Sequence, residues 1–542
     1  MLNISTNFPV SLSALLSVSV VLQGCAVGPD FGPLPAPSVA GYTIERTPKG
    51  TTTAPVPGGA AQSFASGRDI PGDWWRLLRS RQVNALVEEA IRNHPDVQAA
   101  QYALRAAREN VLSQQGALFP QVSATGSATR EQVPLAQSGA SGPAQLFNLY
   151  NASVSVSYTV DVFGGTRRQI EALQAQSDYQ RFQLEATYLA LTANVVTAAI
   201  TDASLRAQIA ATEGVIKAEA EQLSLLQRQF ELGGVSRSDV LSQQATLAQT
   251  EATLPPLQKQ LAQQRNQLMA YLGRLPNEDR GESVDLTQLQ LPRRLPVSLP
   301  SALVRQRPDV RAAEATLHQS SATVGVAIAN MLPQLTLSAS AGSSALTVDK
   351  LFRPDNAAWS IAGNLTQTIF DGGTLFHTKE ADVATYEQNV AKYKSTVISA
   401  FQNVADSLRA VQSDAKTLTA QVAAEKASLD SLEMNKQQYR IGAITYATVL
   451  TAQQNYQNAL VARVKAQAAR FTDTVALFQA LGGGWWNRVD ETPSATPRDA
   501  GHFEGPTAKP SSFRGLGVEE PSAVAQDARA QPSRSRNQGE QR

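Results

Sequence analysis

Residues 184–230 read LEATYLALTANVVTAAITDASLRAQIAATEGVIKAEAEQLSLLQRQF, and their spacing decides the fold. Positions 184, 188, 191, 195, 198, 202, 205, 209, 212, 216, 219, 223, 226 and 230 advance by alternating steps of four and three, and eleven of those fourteen are apolar or Ala. The exceptions are Asp202, Thr212 and Glu219. A seven-residue repeat held this long keeps one seam facing a partner helix and predicts a left-handed coiled coil. From Thr166 to Leu232 there is no Pro and one Gly, Gly214, so a single helix of about 100 Å is expected at 1.5 Å per residue.

Outward from this stretch the chain repeats itself. Thr374 to Arg440 has neither Pro nor Gly and carries Val383, Tyr386, Val390, Tyr393 and Val397 on the same steps, resuming one residue out of phase at Leu408. At a shift of 209 residues, Gly233, Val240, Leu241, Gln244, Leu272 and Gly273 match Gly442, Val449, Leu450, Gln453, Leu481 and Gly482. At a shift of 213, Pro95, Asp96, Val97, Ala99 and Ala100 match Pro308, Asp309, Val310, Ala312 and Ala313. Collinear matches over most of the chain imply an internal duplication. In each copy a Gly-containing turn follows the long helix and a return helix follows the turn. Adjacent Pro255 and Pro256 predict a break in the first return helix, and the second has no such pair. Asp96–Leu118 reads as a further helix of about 35 Å that ends at Pro120. Placed end to end with the return helix, it gives about 85 Å, enough to line the long one.

Between the helices the period falls to two. Ala152, Val154, Val156, Tyr158 and Val160 alternate with Ser153, Ser155, Ser157 and Thr159; Leu335, Leu337, Ala339 and Ala341 alternate with Thr336, Ser338 and Ser340; Trp359, Ile361, Gly363 and Leu365 alternate with Ser360, Ala362, Asn364 and Thr366. With residues 121–130 these make four strands, at about 121–130, 151–161, 334–342 and 358–368. Taken alone, such a pair fits a soluble antiparallel sheet with one wet face as readily as a membrane sheet. Four of them in an exported chain favour a membrane β-barrel, apolar outward and Ser/Thr/Asn inward, and four strands close a barrel only with other copies of the chain.

Export is read from the N-terminus. Residues 10–22 are apolar or Ser, too few to span a bilayer, and end at LQGC with Gly24 and the single cysteine, Cys25. This pattern resembles a lipobox, with residues 1–24 a signal peptide and Cys25 acylated; Ala26 in place of Asp points to the outer membrane. Eight Pro among residues 27–72 suit an extended tether, so 25–72 reads as a lipidated N-terminal arm. Repeat 1 is assigned to 73–273, a linker to 274–300 and repeat 2 to 301–486. Residues 487–542 hold eight basic and eight acidic residues without periodicity and read as a disordered tail.

Composition closes off other classes. The 542 residues carry 47 Lys and Arg against 46 Asp and Glu, a net charge of +1 without a basic block, which argues against nucleic-acid binding. One Cys makes neither an internal disulfide nor a thiolate cage. His94, His318, His377 and His502 are isolated, with no catalytic or metal-ligand arrangement around them, and His94 and His318 are expected at helix ends or surfaces. No enzyme activity and no cofactor beyond the covalent lipid on Cys25 are expected.

CAVGPDF at Cys25–Phe31, DWW at Asp73–Trp75, NHPDVQAA at Asn93–Ala100, LFPQ, MLPQ, VDVFGG, TIFDGG and ALGGGW at Ala480–Trp485 occur in an order and spacing that resembles the TolC-like outer-membrane factor family, most of all its OprM-like lipoprotein branch. The likeness spans residues 25–486. It implies a mainly α chain with a membrane β-barrel: a homotrimer with a twelve-stranded barrel in outer-membrane lipid, continued by a coiled-coil helical barrel across the periplasm of a Gram-negative cell. It further implies that the turns LGGVSRSDVL and IGAITYATVL form the closed end and meet a periplasmic adaptor that links the duct to an inner-membrane transporter of the RND class. Carried over by position, the adaptor contacts are Gly233, Val235, Ser236, Asp239, Val240, Gly442, Ile444, Thr445 and Val449. The gate constriction falls on Asp239, Thr448 and Thr451, where Thr448 and Thr451 stand in place of the carboxylates of many relatives. Ser236 and Thr445 are placed to cap the outgoing helices, and Asp239 to pair with Arg237 or Arg440. The function implied is passive efflux of small molecules. A protein-secretion duct of the same fold and a periplasmic coiled-coil scaffold lipoprotein are the alternatives.

Overall fold

The long periodic stretches fold as continuous helices. The computed structural model describes residues 26–39, 41–45, 48–134 and 142–488. In chain order it contains β1 (Ser63–Ser66), α1 (Arg81–Asn93), α2 (Pro95–Gln115), β2 (Gln121–Val133), β3 (Gln145–Val160), α3 (Gly165–Glu231), α4 (Arg237–Tyr271), β4 (Arg294–Val297), α5 (Pro300–Gln306), α6 (Pro308–Asn330), β5 (Gln334–Ala345), β6 (Ala357–Thr366), α7 (Thr374–Arg440) and α8 (Tyr446–Ala480). The signal segment, Cys25 and residues 489–542 lie outside the described residues.

Both α3 and α7 have 67 residues, about 100 Å each. α3 packs along α2 and α4, whose 21 and 35 residues together supply about 84 Å, and also against α6 and α8; α7 packs along α6 and α8. Part of α3 is apolar and long enough to cross a bilayer, but more than half of that window is buried against its neighbours, as befits a core helix. Midway along the helices the main core gathers Trp74, Leu191, Val195, Ile200, Tyr393, Val404, Phe471 and Phe478, with Trp74 stacked on Phe478 at 5.4 Å.

Several expectations are corrected. α4 runs unbroken from Arg237 to Tyr271 through Pro255 and Pro256. The prolines deprive the carbonyls of Glu251 and Ala252 of their partners, yet packing along α3 holds both halves on one path. The first two strands are longer than 121–130 and 151–161: Gln145–Tyr150 pairs with Ala128–Val133 although its residues do not alternate, because this end of the hairpin leaves both faces largely exposed. The other two reach Ala345 and begin at Ala357. A parallel pairing of β1 with β4 ties the N-terminal arm to the linker; four residues in each strand give no period to read. The ordered chain also passes residue 487, since Trp485–Asn487 forms a helical turn and Arg488 bonds Glu185 at 2.8 Å. His94 does cap a helix, accepting from the Asp96 amide at 3.2 Å, whereas His318 lies within α6, stacked on Phe31 and 2.9 Å from Glu171.

The N-terminal arm lies extended on the helices. Arg470 of α8, 1% exposed, donates to the carbonyls of Gly58 and Ala60 and to Gln62 at 2.9–3.2 Å. Ala54 and Val56 pack between Leu418 of α7 and Ala466 of α8.

Candidate functional site

One end of the helices carries an open four-stranded antiparallel sheet, in the order β2-β3-β5-β6. Register fixes its two faces. Val122, Val156, Ala339 and Ile361 fall opposite one another across the four strands, and Leu335 lies opposite Leu365. The other face is a hydroxyl ladder: Ser123–Ser155 at 2.8 Å, Thr125–Ser153 at 2.9 Å, Thr159–Thr336 at 3.3 Å and Ser340–Ser360 at 2.9 Å. Trp359, Ile361 and Leu365 are 70–78% exposed on the apolar face. A soluble sheet buries such a row. Among the described residues the edge strands β2 and β6 each pair on one side only, which leaves a row of backbone donors and acceptors unmet on the other.

At the far end, both helical hairpins turn in the same way. After α3, the Gly233 amide reaches the Phe230 carbonyl at 2.9 Å and the Gly234 amide reaches Gln229 at 2.8 Å; after α7, Gly442 reaches Tyr439 and Ala443 reaches Gln438, both at 2.9 Å. This pattern needs a left-handed residue, and Gly233 (φ 76°) and Gly442 (φ 75°) provide it. Ser236 and Asp239 then form a reciprocal capping box at the start of α4: the Ser236 hydroxyl accepts from the Asp239 amide and the Asp239 carboxylate accepts from the Ser236 amide, each at 3.2 Å. The carboxylate is committed to that box, and among the described residues it has no ion pair with Arg237 or Arg440. Thr445 makes no such cap. With Thr448 in the place of Asp239, its hydroxyl meets the Thr448 hydroxyl at 3.3 Å instead. Thr451 donates to the Ala447 carbonyl at 3.0 Å, and both Thr448 and Thr451 are exposed.

The apolar tip residues face inward. Val449 is buried with Leu226, Leu432, Tyr446 and Ala452, and Val235, Val240 and Ile444 pack against that cluster. Val449 therefore joins the chain's two hairpins and offers no surface to a partner. Gly233, Ser236, Gly442 and Thr445 remain exposed, and Asp239 is half-buried.

Above the cluster lies a polar layer that the sequence signals only through Glu219, an interruption of the heptad row. Tyr446 donates to Gln243 at 2.6 Å and Gln243 donates to the Glu219 carbonyl at 3.0 Å, so the layer links both hairpins. The Glu219 side chain is fully buried and, among the described residues, neither carboxyl oxygen has a hydrogen-bond partner. Burial pushes this carboxyl above its usual range; Thr250 and Gln453 lie near enough to soften the effect without reaching bonding geometry, and Glu251 adds to it.

A sheet that is apolar on one face, polar on the other and unpaired at both edges, carried on long paired helices, defines one subunit of an outer-membrane channel. Comparison with known proteins agrees. The outer membrane efflux protein family matches residues 86–274 and 299–483. The probable efflux pump outer membrane protein TtgC of Pseudomonas putida is 30% identical over 488 residues, covering 89% of this chain and 97% of TtgC. The antibiotic efflux pump outer membrane protein ArpC of Pseudomonas putida is 30% identical over 485 residues, covering 89% and 97%. Among solved structures, the outer-membrane channel OprN superposes with a TM-score of 0.77 at 26% identity over 85% of this chain and all of OprN. VceC of Vibrio cholerae gives 0.72 at 25% over 77% of this chain and all of VceC. The chain belongs to the outer membrane efflux protein family, its fold is TolC-like and its place is the outer membrane. The periplasmic scaffold reading falls with that membership.

Proposed function

We propose that three copies of this chain close their sheets into a twelve-stranded barrel and their helices into a continuous duct. Through it, small molecules delivered by an inner-membrane transporter of the RND class and a periplasmic adaptor leave the cell passively. The observation that carries this is the open sheet: two bare edges and an outward apolar face are satisfied together only by edge-to-edge closure in lipid. Its dimensions suit the role. Tyr150 to Tyr158 spans eight residue steps of β3, about 27 Å, or about 21 Å along the axis at a tilt of about 40°, close to the apolar band of such barrels. The hydroxyl ladder then lines the lumen, and the efflux names of TtgC and ArpC favour small molecules over secreted proteins as cargo.

The lipid anchor on Cys25 fits the same arrangement. The Val27 amide donates to Phe163 just beyond β3 at 3.0 Å, and Arg168 holds the Val27 carbonyl at 3.0 Å and Asp30 at 2.7 Å. The residues after Cys25 thus sit at the base of the sheet, within reach of the inner leaflet. The exposed turn residues Gly233, Ser236, Gly442 and Thr445 are the adaptor surface, and Asp239, Thr448 and Thr451 stand at the mouth.

Cysteines at Thr125 of β2 and Ala362 of β6, joined by a short cross-linker in intact membranes, test closure. A product ladder that stops at three chains is expected. One that stops at two, or runs on without limit, contradicts the barrel. A strain lacking the chain is expected to become sensitive to exported compounds, and a Gly442→Arg chain to leave it so while still forming trimers.

A further inference from the structure

Glu219 sits on α3 fourteen residues above Gly233, about 21 Å from the tip, in a heptad position that is otherwise apolar. Among the described residues no cation lies beside it and no donor reaches bonding geometry, although Thr250 and Gln453 are close enough to ease its burial. α4 presents Gln243, Thr250 and Glu251; α8 presents Tyr446 and Gln453. Of the titratable members of that set, Glu251 disfavours a second carboxylate and Tyr446 is held neutral, so neither supplies a positive charge. A buried carboxylate without a bond is far costlier than a buried carboxylic acid. Glu219 is also close to a bond that ties one hairpin to the other, Tyr446 to Gln243 at 2.6 Å.

We propose that Glu219 is a proton-loaded latch of the closed tip: the hairpins close with this carboxyl protonated, and their separation hydrates it and returns the proton to the periplasm. This inference rests on the tip being the closed end of the duct. The sign follows from burial. The carboxyl is raised above its ordinary value of 4.5 only while the seam is shut, so the closed form binds the extra proton. Closure is then fully favoured below that ordinary value. As pH rises from there toward the raised value, the closed-to-open ratio falls by up to about tenfold per pH unit in each chain, and it levels off above. The second repeat has Ser428 at the matching position, so the latch belongs to one hairpin of the two.

The test uses the full-length trimer in a planar bilayer, with pH stepped from about 5 to about 8 on the side that faces the tips. The wild-type open fraction is expected to rise with pH across this range, and Glu219→Gln to stay closed throughout. Glu219→Leu, which restores the apolar row, is expected to do the same and guards against a folding defect in the Gln variant. A wild-type pH response in either variant overturns the proposal. Infrared spectroscopy provides a second readout: a protonated-carboxyl band that persists above the ordinary carboxyl range is expected in the wild type and lost in Glu219→Gln, and an unchanged band also overturns it. Tyr446→Phe, which removes the shorter of the Tyr446–Gln243 and Thr250–Gln457 bonds between hairpins, distinguishes the duct from the latch. If even this loosened chain never conducts, the duct reading fails, and the infrared band still decides the protonation of Glu219.

Discussion

The two halves of the molecule share a backbone plan down to single hydrogen bonds, yet the polar side chains between their helices differ. α3 and α7 have equal length, and their turns close through the same pair of amide-to-carbonyl bonds around Gly233 and Gly442. In the first hairpin, α3 is tied to α4 by charge: Asp202 bonds Arg206 at 2.8 Å and lies 3.6 Å from Arg265. In the second, Arg463 of α8 bonds Glu425 of α7 at 2.8 Å, but the same pair of helices also brings two acids together, Asp414 and Asp473: burial, then the hydrogen bond and the charge of Asp473, push the Asp414 carboxyl up to about 7. The first return helix carries Pro255 and Pro256 where the second has Val464 and Lys465. The second grips the N-terminal arm through Arg470 where the first has Leu261. Duplication kept the geometry that main-chain bonding and the heptad seam require, and left the side chains around them free to diverge. The hairpins should therefore respond unequally to the same perturbation.

The largest asymmetry is expected at the arm. Arg470→Met leaves the carbonyls of Gly58 and Ala60 unpaired and should cost about 3 kcal/mol or more, with exposure of residues 51–62 to protease; Leu261→Met should cost less than about 1.5 kcal/mol. Thermal unfolding of the two variants side by side measures the difference. Next comes pH. Because Asp414 is raised above its ordinary value of 3.8, the folded chain binds more protons than the unfolded one, and the pair's contribution falls as pH rises from about 4 to about 7. Asp414→Asn should flatten that slope and stabilise the protein at pH 8 by about 1–2 kcal/mol after solvent screening.

Smaller effects sharpen the likeness rather than the contrast. Gly233→Ala and Gly442→Ala face open space, so each should cost only the left-handed strain, about 1 kcal/mol, and the two values should agree. The smallest effect lies in the caps. Asp239→Ala should cost about 0.5–1 kcal/mol and Thr448→Ala close to nothing, while Thr448→Asp should install in the second turn the box that the first already has. Amide hydrogen exchange in the first turns of α4 and α8 reads these differences.

Much of this plan was legible in the residues. The heptad row and the absence of Pro set the bounds of α3 and α7, the turn glycines fell where a left-handed residue is needed, and strict alternation fixed which face of β3, β5 and β6 is apolar. What escaped was whatever depends on tertiary packing. Gln145–Tyr150 is a strand because β2 continues beside it, not because its pattern alternates. The proline pair stays helical because α3 holds both sides of it. Val449 reads as a surface residue by position, but the second hairpin turns it toward Leu226. Glu219 was visible as an exception in the heptad row; that it has no partner could be read only once α4 and α8 were in place around it.

A trimeric duct closed at its helical tips accounts for the open sheet and the paired hairpins together. Single-channel recording of the purified protein, with cross-linking of the same sample to count chains, tests it most directly. The expected result is a trimer that conducts weakly at rest and strongly once Tyr446→Phe or a substitution at Gly442 loosens the tips. A folded monomer, or a folded trimer that stays silent with its tips loosened, would contradict it.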